Sequence, residues 1–152
     1  MKKYTNISLM ILLTAAFAAG ASIKNNSEYL GNNQRTGFVD ESIPQSPVLL
    51  WTYNEKHTPK HAWKEPVREV QHIDFDYVDH TAIGNGMVYF GSSTDHKIYA
   101  LDLKTGEERW TFFTEGPVRF APVLKGMQLY AVSDDGHLYC LAADTGKLIW
   151  KF

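Results

Sequence analysis

A single cysteine, Cys140, occurs in 152 residues. No internal disulfide can form, so the fold must rest on a packed core. The chain also has little net charge, −2 at neutral pH, and no basic block, so it lacks the electrostatic footprint of a nucleic-acid binder. It has no apolar run of the roughly 20 residues needed to cross a bilayer. The nearest candidate, Ile7 to Ala18, has only Ser8 and Thr14 as polar interruptions. Lys2 and Lys3 precede it and small residues follow. A basic end, a short apolar core and a small-residue exit form the pattern of a secretory signal peptide, with Ala16-Phe17-Ala18 or Ala19-Gly20-Ala21 as cleavage site. A membrane anchor is the alternative for such a segment. No cysteine lies near the exit to carry a lipid. The expectation is removal of residues 1–21 and a periplasmic or secreted mature chain without a membrane span.

What the sequence does have is a repeat. Gly86 to Phe112 aligns without a gap on Gly126 to Phe152, with ten of 27 positions identical. The identities include Gly86/Gly126, Met87/Met127, Ser93/Ser133, Asp95/Asp135, Tyr99/Tyr139, Gly106/Gly146 and Trp110/Trp150. Each copy reads as short strands separated by turns. Met87 to Ser92 and Lys97 to Leu101 are rich in aromatic and branched residues, and Ser93-Thr94-Asp95-His96 lies between them as a polar turn. Lys104-Thr105-Gly106 makes a second turn, where glycine takes the left-handed conformation without steric cost. The chain returns as Glu107 to Phe113, and a strand from about Thr81 to Gly84 comes first. Four antiparallel strands in about 40 residues have the dimension of a propeller blade. The run Met87-Val88-Tyr89-Phe90 is continuously apolar, as expected of a strand covered on both faces. A small two-sheet sandwich is the other architecture with such hairpins, but it does not require the period.

The segment Ala100-Leu101-Asp102-Leu103-Lys104-Thr105-Gly106-Glu107-Glu108-Arg109-Trp110 fits the pattern A-x-D-x-x-T-G-x-x-x-W at Ala100, Asp102, Thr105, Gly106 and Trp110. This resembles the tryptophan-docking motif of PQQ-like β-propellers, a family that includes quinoprotein alcohol dehydrogenases and the outer-membrane assembly factor BamB. The resemblance implies an all-β, partial propeller in which Trp110 and Trp150 lock neighbouring blades and are not ligand platforms. The second copy keeps Thr145, Gly146 and Trp150 but has Cys140 for the alanine and Ala142 for the aspartate. Cys140 is small enough to fill the alanine slot of the core; the loss at Ala142 removes a turn-stabilising hydrogen bond. Upstream, Leu49-Leu50-Trp51-Thr52-Tyr53 resembles the outer strand of a preceding blade. The expected organisation is a signal peptide over 1–21, an irregular segment over 22–46, and about two four-stranded blades plus that outer strand over 47–152.

One connection breaks the period. Trp110 to Gly126 is 16 positions and Trp51 to Gly86 is 35, which places an insertion at about 55–73. It contains His57 and His61, and His72, Asp74, Asp76, Asp79 and His80 follow. These could supply metal ligands on paper, but Pro59 between the first two histidines opposes a helix presenting both. Solvated loop residues are the plainer reading, and no metal is expected. Aligning backwards from Gly86/Gly126 sets Val78-Asp79-His80 opposite Val118-Arg119-Phe120, where each chain enters the channel-lining strand. Asp79, His80 and Arg119 are therefore the candidates for ligand contact at the channel rim, with an Asp79 to Arg119 pair between blades as the structural alternative.

No nucleophile, base and orienting group are grouped in the sequence, so no catalytic residue is assigned. The expected function is an exported, non-catalytic scaffold or binding module of the cell envelope, without a cofactor. Its partners would be a protein, peptide or glycan there, or other propeller chains. The resemblance carries an enzymatic alternative, the N-terminal part of a quinoprotein dehydrogenase using PQQ with calcium. A closed eight-blade ring of 40-residue repeats needs about 320 residues. A fragment of a longer propeller is accordingly expected.

Overall fold

The computed structural model describes residues 30, 32, 34–38, 46–57, 59 and 80–152. The expected signal peptide, most of the segment 22–46, most of the insertion and Asp79 lie outside the described residues. All regular structure among the described residues beyond Tyr53 is strand: β1 (Thr81–Gly84), β2 (Met87–Ser92), β3 (Lys97–Asp102), β4 (Glu108–Phe113), β5 (Val123–Lys125), β6 (Gln128–Val132), β7 (Leu138–Ala142) and β8 (Leu148–Lys151). They form two four-stranded antiparallel meanders in the order β1-β2-β3-β4 and β5-β6-β7-β8. These are the two expected blades.

The sheets stack face to face. From the first sheet, Tyr89, Ile98 and Ala100, with Trp110 and Phe112, meet Leu124, Leu129, Ala131, Tyr139 and Leu141 of the second. The opposite face of the first sheet carries Val88, Phe90, Tyr99, Leu101 and Leu103, and Trp51 and Tyr53 cover it. Val88, Tyr89 and Phe90 are consecutive and all nearly inaccessible to solvent, as the continuous apolar run of β2 requires. The Leu49–Tyr53 segment differs from the expected strand. Its side chains occupy an outer strand's place, but the segment is not laddered into a sheet, because no neighbouring strand stands among the described residues to receive its backbone.

Strand pairing also corrects the ungapped alignment of the two copies. Gly84 pairs with Met87 and Lys125 with Gln128, so both turns have two residues, Asn85-Gly86 and Gly126-Met127. Asn85 and Gly86 both have positive φ, whereas Gly126 is positive in the second turn and Met127 is not. A type I′ turn needs the left-handed conformation at both central residues, and a type II′ turn needs it at the first alone. Gly86 is therefore equivalent to Met127 and not to Gly126. The one-residue offset is absorbed in the next connection, which has four residues in the first blade, Ser93 to His96, and three in the second, Asp134 to Gly136. Ser92 then matches Ser133, and Tyr89 matches Tyr130. Beyond that turn the alignment holds.

Both blades carry a bulge at one place. The register slips between Ala100 and Leu101 against β4 and between Cys140 and Leu141 against β8. Arg109 and Ile149 are the unpaired extra residues, each just before a tryptophan. A bulge bends and re-aims the strand that carries it. Here it directs Trp110 off its own strand towards the next blade.

Candidate functional site

The docking motif forms the blade junction. Asp102 Oδ1 accepts the backbone N–H groups of Lys104 (2.9 Å) and Thr105 (3.0 Å). Arg109 approaches Asp102 Oδ2 at 3.3 Å. These backbone hydrogen bonds and the guanidinium hold the Asp102 carboxyl below the usual carboxylate range. Gly106 closes the turn at φ 74°, with its N–H donating to the Asp102 carbonyl at 2.9 Å. Trp51 stacks over this glycine, and its indole N–H donates to the Leu103 carbonyl at 3.0 Å. In the second blade, Trp110 covers Gly146 and donates to the Ala143 carbonyl, also at 3.0 Å. The turn keeps its backbone bond, Gly146 N–H to Ala142 carbonyl at 2.8 Å, although alanine at 142 supplies no capping carboxylate. Cys140 pairs in register with Trp150 as Ala100 does with Trp110. It is fully buried, and burial pushes its thiol pKa up, so it behaves as core.

The rim residues separate. His80 is exposed at the entry to β1. Given the corrected register its counterpart is Ala121, so Arg119 does not occupy the position matched to Asp79. Arg119 Nε donates instead to Asp134 Oδ2 at 2.6 Å, with its side chain only 11% exposed. The surrounding connection sews the blades together. Val118 N–H donates to the Ser92 carbonyl of the first blade (3.2 Å), and Asp134 N–H to the Pro117 carbonyl (2.8 Å). Val118 packs so closely over Gly91 that a Cβ there would lie 2.2 Å from Val118 Cγ1. Arg119 thus anchors a crossover within a closely packed junction.

The sequence reading missed a network that recurs in both blades. Tyr99 O–H donates to Asp95 Oδ2 and Tyr139 O–H to Asp135 Oδ2, each at 2.7 Å. Asp135 also accepts the backbone N–H groups of Glu115 and His137, both at 2.9 Å. Asp95 instead receives His57 Nδ1 at 2.7 Å, from the start of the insertion. The signal was present in the identical pairs Asp95/Asp135 and Tyr99/Tyr139, which set an aspartate four residues before a tyrosine in each copy. Burial disfavours the charge on Asp135, but the bonds from Tyr139, His137, Ser133 and Glu115 outweigh it and hold the carboxyl well below its usual value. At Asp95 burial is likewise outweighed by Tyr99 and His57. Burial and the Asp135 carboxylate raise Tyr139 to about 12.

A carboxyl whose pKa is depressed on folding is protonated first in the unfolded chain as pH falls. Its stabilisation is complete above the unfolded value of about 4 and declines below it. We expect the urea midpoint to stay level from pH 7 to 5 and to drop below pH 4, and Asp135→Asn to make that drop shallower. Urea melts of both proteins across this range measure it.

Among the described residues no three of His, Cys, Asp and Glu gather where a metal could sit. His61, His72, Asp74, Asp76 and Asp79 lie outside those residues. A PQQ with calcium needs carboxylates open to the cation. The rim carboxylates Asp95, Asp134 and Asp135 are instead engaged by Tyr99 and His57, by Arg119, and by Tyr139 and backbone N–H groups. Among the described residues these three carboxylates are therefore already engaged.

Four-stranded meanders stacked through a tryptophan on a Thr-Gly turn have the build of PQQ-like blades in a partial β-propeller. Residues 49–152 match the family model described as outer membrane protein assembly factor BamB, and the chain belongs to that family. It is similar to BamB from Moraxella catarrhalis at 21% identity and a TM-score of 0.42, covering 44% of this chain and 20% of that one. It is similar to the quinohemoprotein alcohol dehydrogenase ADHIIG from Pseudomonas putida HK5 at 26% identity and a TM-score of 0.44, covering 50% and 13%. A europium-containing methanol dehydrogenase aligns at 20% identity and a TM-score of 0.49, covering 69% and 19%. The chain spans a fifth or less of the length of these solved structures. No curated protein matches it.

Proposed function

We propose that the chain is an exported, non-catalytic propeller module that binds a protein or peptide in the cell envelope. The observation that carries this reading is the use of the polar residues at the rim. Asp95, Asp135, Asp134 and Arg119 are engaged in holding turns and crossovers together, so they stabilise blades and do not converge on a reacting atom. The family is named for an assembly factor, which supports a protein partner. Among the described residues no helix is long and apolar enough to cross a membrane, and the N-terminal segment has the pattern of a cleaved export signal. His80 and Asp79 remain the proposed contacts of the rim.

The test separates this reading from a dehydrogenase module. With PQQ and Ca²⁺ added to the purified chain, the expected result is neither a change in quinone absorbance nor dye-linked alcohol oxidation; either signal overturns the proposal. Export is checked on the same preparation. The mature N-terminus should fall after Ala18 or Ala21, and an intact Met1 in the envelope fraction would contradict the signal peptide.

A further inference from the structure

Of the chain's asparagines only Asn85 is followed by a glycine. It also makes a side-chain link between the blades. Its Nδ2 amide donates to the Gly126 carbonyl at 2.8 Å and lies 3.5 Å from Met127 Sδ, both in the matching turn of the second blade. In the corrected register Gly126 stands where Asn85 does, so the second turn has no side chain to return the contact. Asn85 and Gly86 are both exposed, and a Cβ added at Gly86 would meet nothing within 4 Å. Gly84 pairs with Met87, which leaves the Gly86 N–H outside the ladder. A cavity of about 300 Å³ adjoins the turn, with Asn85, Asp102, Lys104 and Arg109 among its lining residues. Asp135, the other aspartyl or asparaginyl residue before a glycine, has its carboxylate held by Tyr139 and two backbone N–H groups. Asn85 is thus the position open to attack by its own backbone.

We propose that Asn85 is a site of spontaneous deamidation, and that the reaction releases the link from the first blade to Gly126. The Gly86 nitrogen gives up its proton and attacks Asn85 Cγ. The Cγ–Nδ2 bond breaks, and the side-chain nitrogen leaves as ammonia with that proton. Water then opens the resulting succinimide at either carbonyl, which gives aspartate or isoaspartate at position 85. Water is the only co-reactant, and an exposed turn admits it. A type I′ turn holds Asn85 at a ψ of about +30°, which sets the Gly86 nitrogen nearly opposite Cβ, so ring closure waits on opening of the turn. The Asn85 bond to Gly126 and the Leu103 N–H bond to the Gly86 carbonyl, 2.9 Å, oppose that opening. Once formed, the carboxylate replaces a donor with an acceptor that faces the Gly126 carbonyl, and an interaction of two acceptors is unfavourable. Lys104 and Arg109 draw the new charge towards the cavity of the first blade, where Asp102 already engages Arg109. Isoaspartate also adds a methylene to the main chain, which a two-residue turn cannot take up without losing its register. This inference is independent of which envelope partner the module binds.

Peptide mapping by mass spectrometry tests it, on the full chain held at pH 7 and pH 9, folded and in urea. Aspartate and isoaspartate are expected to accumulate at position 85 in the folded protein, ahead of every other asparagine. The reaction should be faster at pH 9, where more of the Gly86 nitrogen is deprotonated, and faster again in urea, where the turn is open. The Asn85→Asp protein carries one of the two products from the outset, and its urea midpoint at pH 7 should lie below that of wild type. An Asn85 that stays intact in the folded protein while it deamidates in urea overturns the proposal. So does amide loss spread evenly over the other asparagines. An Asn85→Asp midpoint equal to that of wild type would refute the release of the link to Gly126.

Discussion

Replacing Gly146 with alanine should lower the stability of the folded chain by about 2–5 kcal/mol. Two separate costs combine at this position. Gly146 has φ 69°, and an L side chain held in the left-handed region costs roughly 1–2 kcal/mol. The new Cβ would also stand 2.5 Å from Trp110 Cε3 and 2.7 Å from Cδ2, and overpacking of this kind costs about 1–3 kcal/mol. Trp110 cannot retreat without releasing the Ala143 carbonyl and opening the core between the sheets. For a folded region of this size, the lost stability corresponds to a melting temperature lower by about 10 °C or more. Gly106→Ala meets the same geometry, with Trp51 Cδ2 at 2.7 Å, but there the obstructing ring sits on a segment without a ladder. That segment can leave the sheet. We therefore expect Gly106→Ala to release Trp51, seen as a shift in tryptophan fluorescence, with a smaller loss of global stability. Equal melting temperatures for the two variants would refute the distinction.

The parts of this fold that were legible in the sequence are those fixed by local chemistry. The strand β2 could be placed from its aromatic and branched run, and the Thr-Gly turn from two identical glycines that both adopt positive φ. Glycine at 86 and 126 misled for a physical reason. Two kinds of two-residue hairpin each require a glycine, but at different positions, so an identity between the copies concealed a one-residue change of register. That shift moved the partner of every rim residue. Arg119 was accordingly matched to Asp79, whereas the structure sets its guanidinium on Asp134, fifteen residues on, in the turn between β6 and β7 of the same blade. The link from His57 to Asp95 lay beyond sequence reasoning because the intervening insertion has no period to align. The Asp95–Tyr99 and Asp135–Tyr139 pairs were legible in principle. Their spacing recurs in both copies, and a buried carboxylate beside a buried phenol must find a partner.

Trp110 and Trp150 are the same residue of the repeat, yet their removal should have unequal consequences for stability. Trp110→Ala deletes a ring that packs on Gly146 and lies 5.9 Å from the ring of Tyr89. It also frees the Ala143 carbonyl, which Tyr89 O–H contacts at 3.2 Å, to seek water at the edge of the core. Large-to-small replacements of this kind cost about 3–5 kcal/mol. Trp110 is only partly buried, so the lower end of that range is expected. Trp150 contacts Tyr130 at 6.0 Å on a face that no other part of the described chain covers, so Trp150→Ala should change the monomer by less than about 1 kcal/mol, the ordinary range for surface changes. The two urea midpoints make the comparison. A double variant adds a check on mechanism: Gly146→Ala introduced into Trp110→Ala should cost much less than Gly146→Ala alone, because the ring it would strike is gone. Only the left-handed backbone strain then remains. Strictly additive losses would show that the indole and the glycine are not in the contact that defines the blade junction.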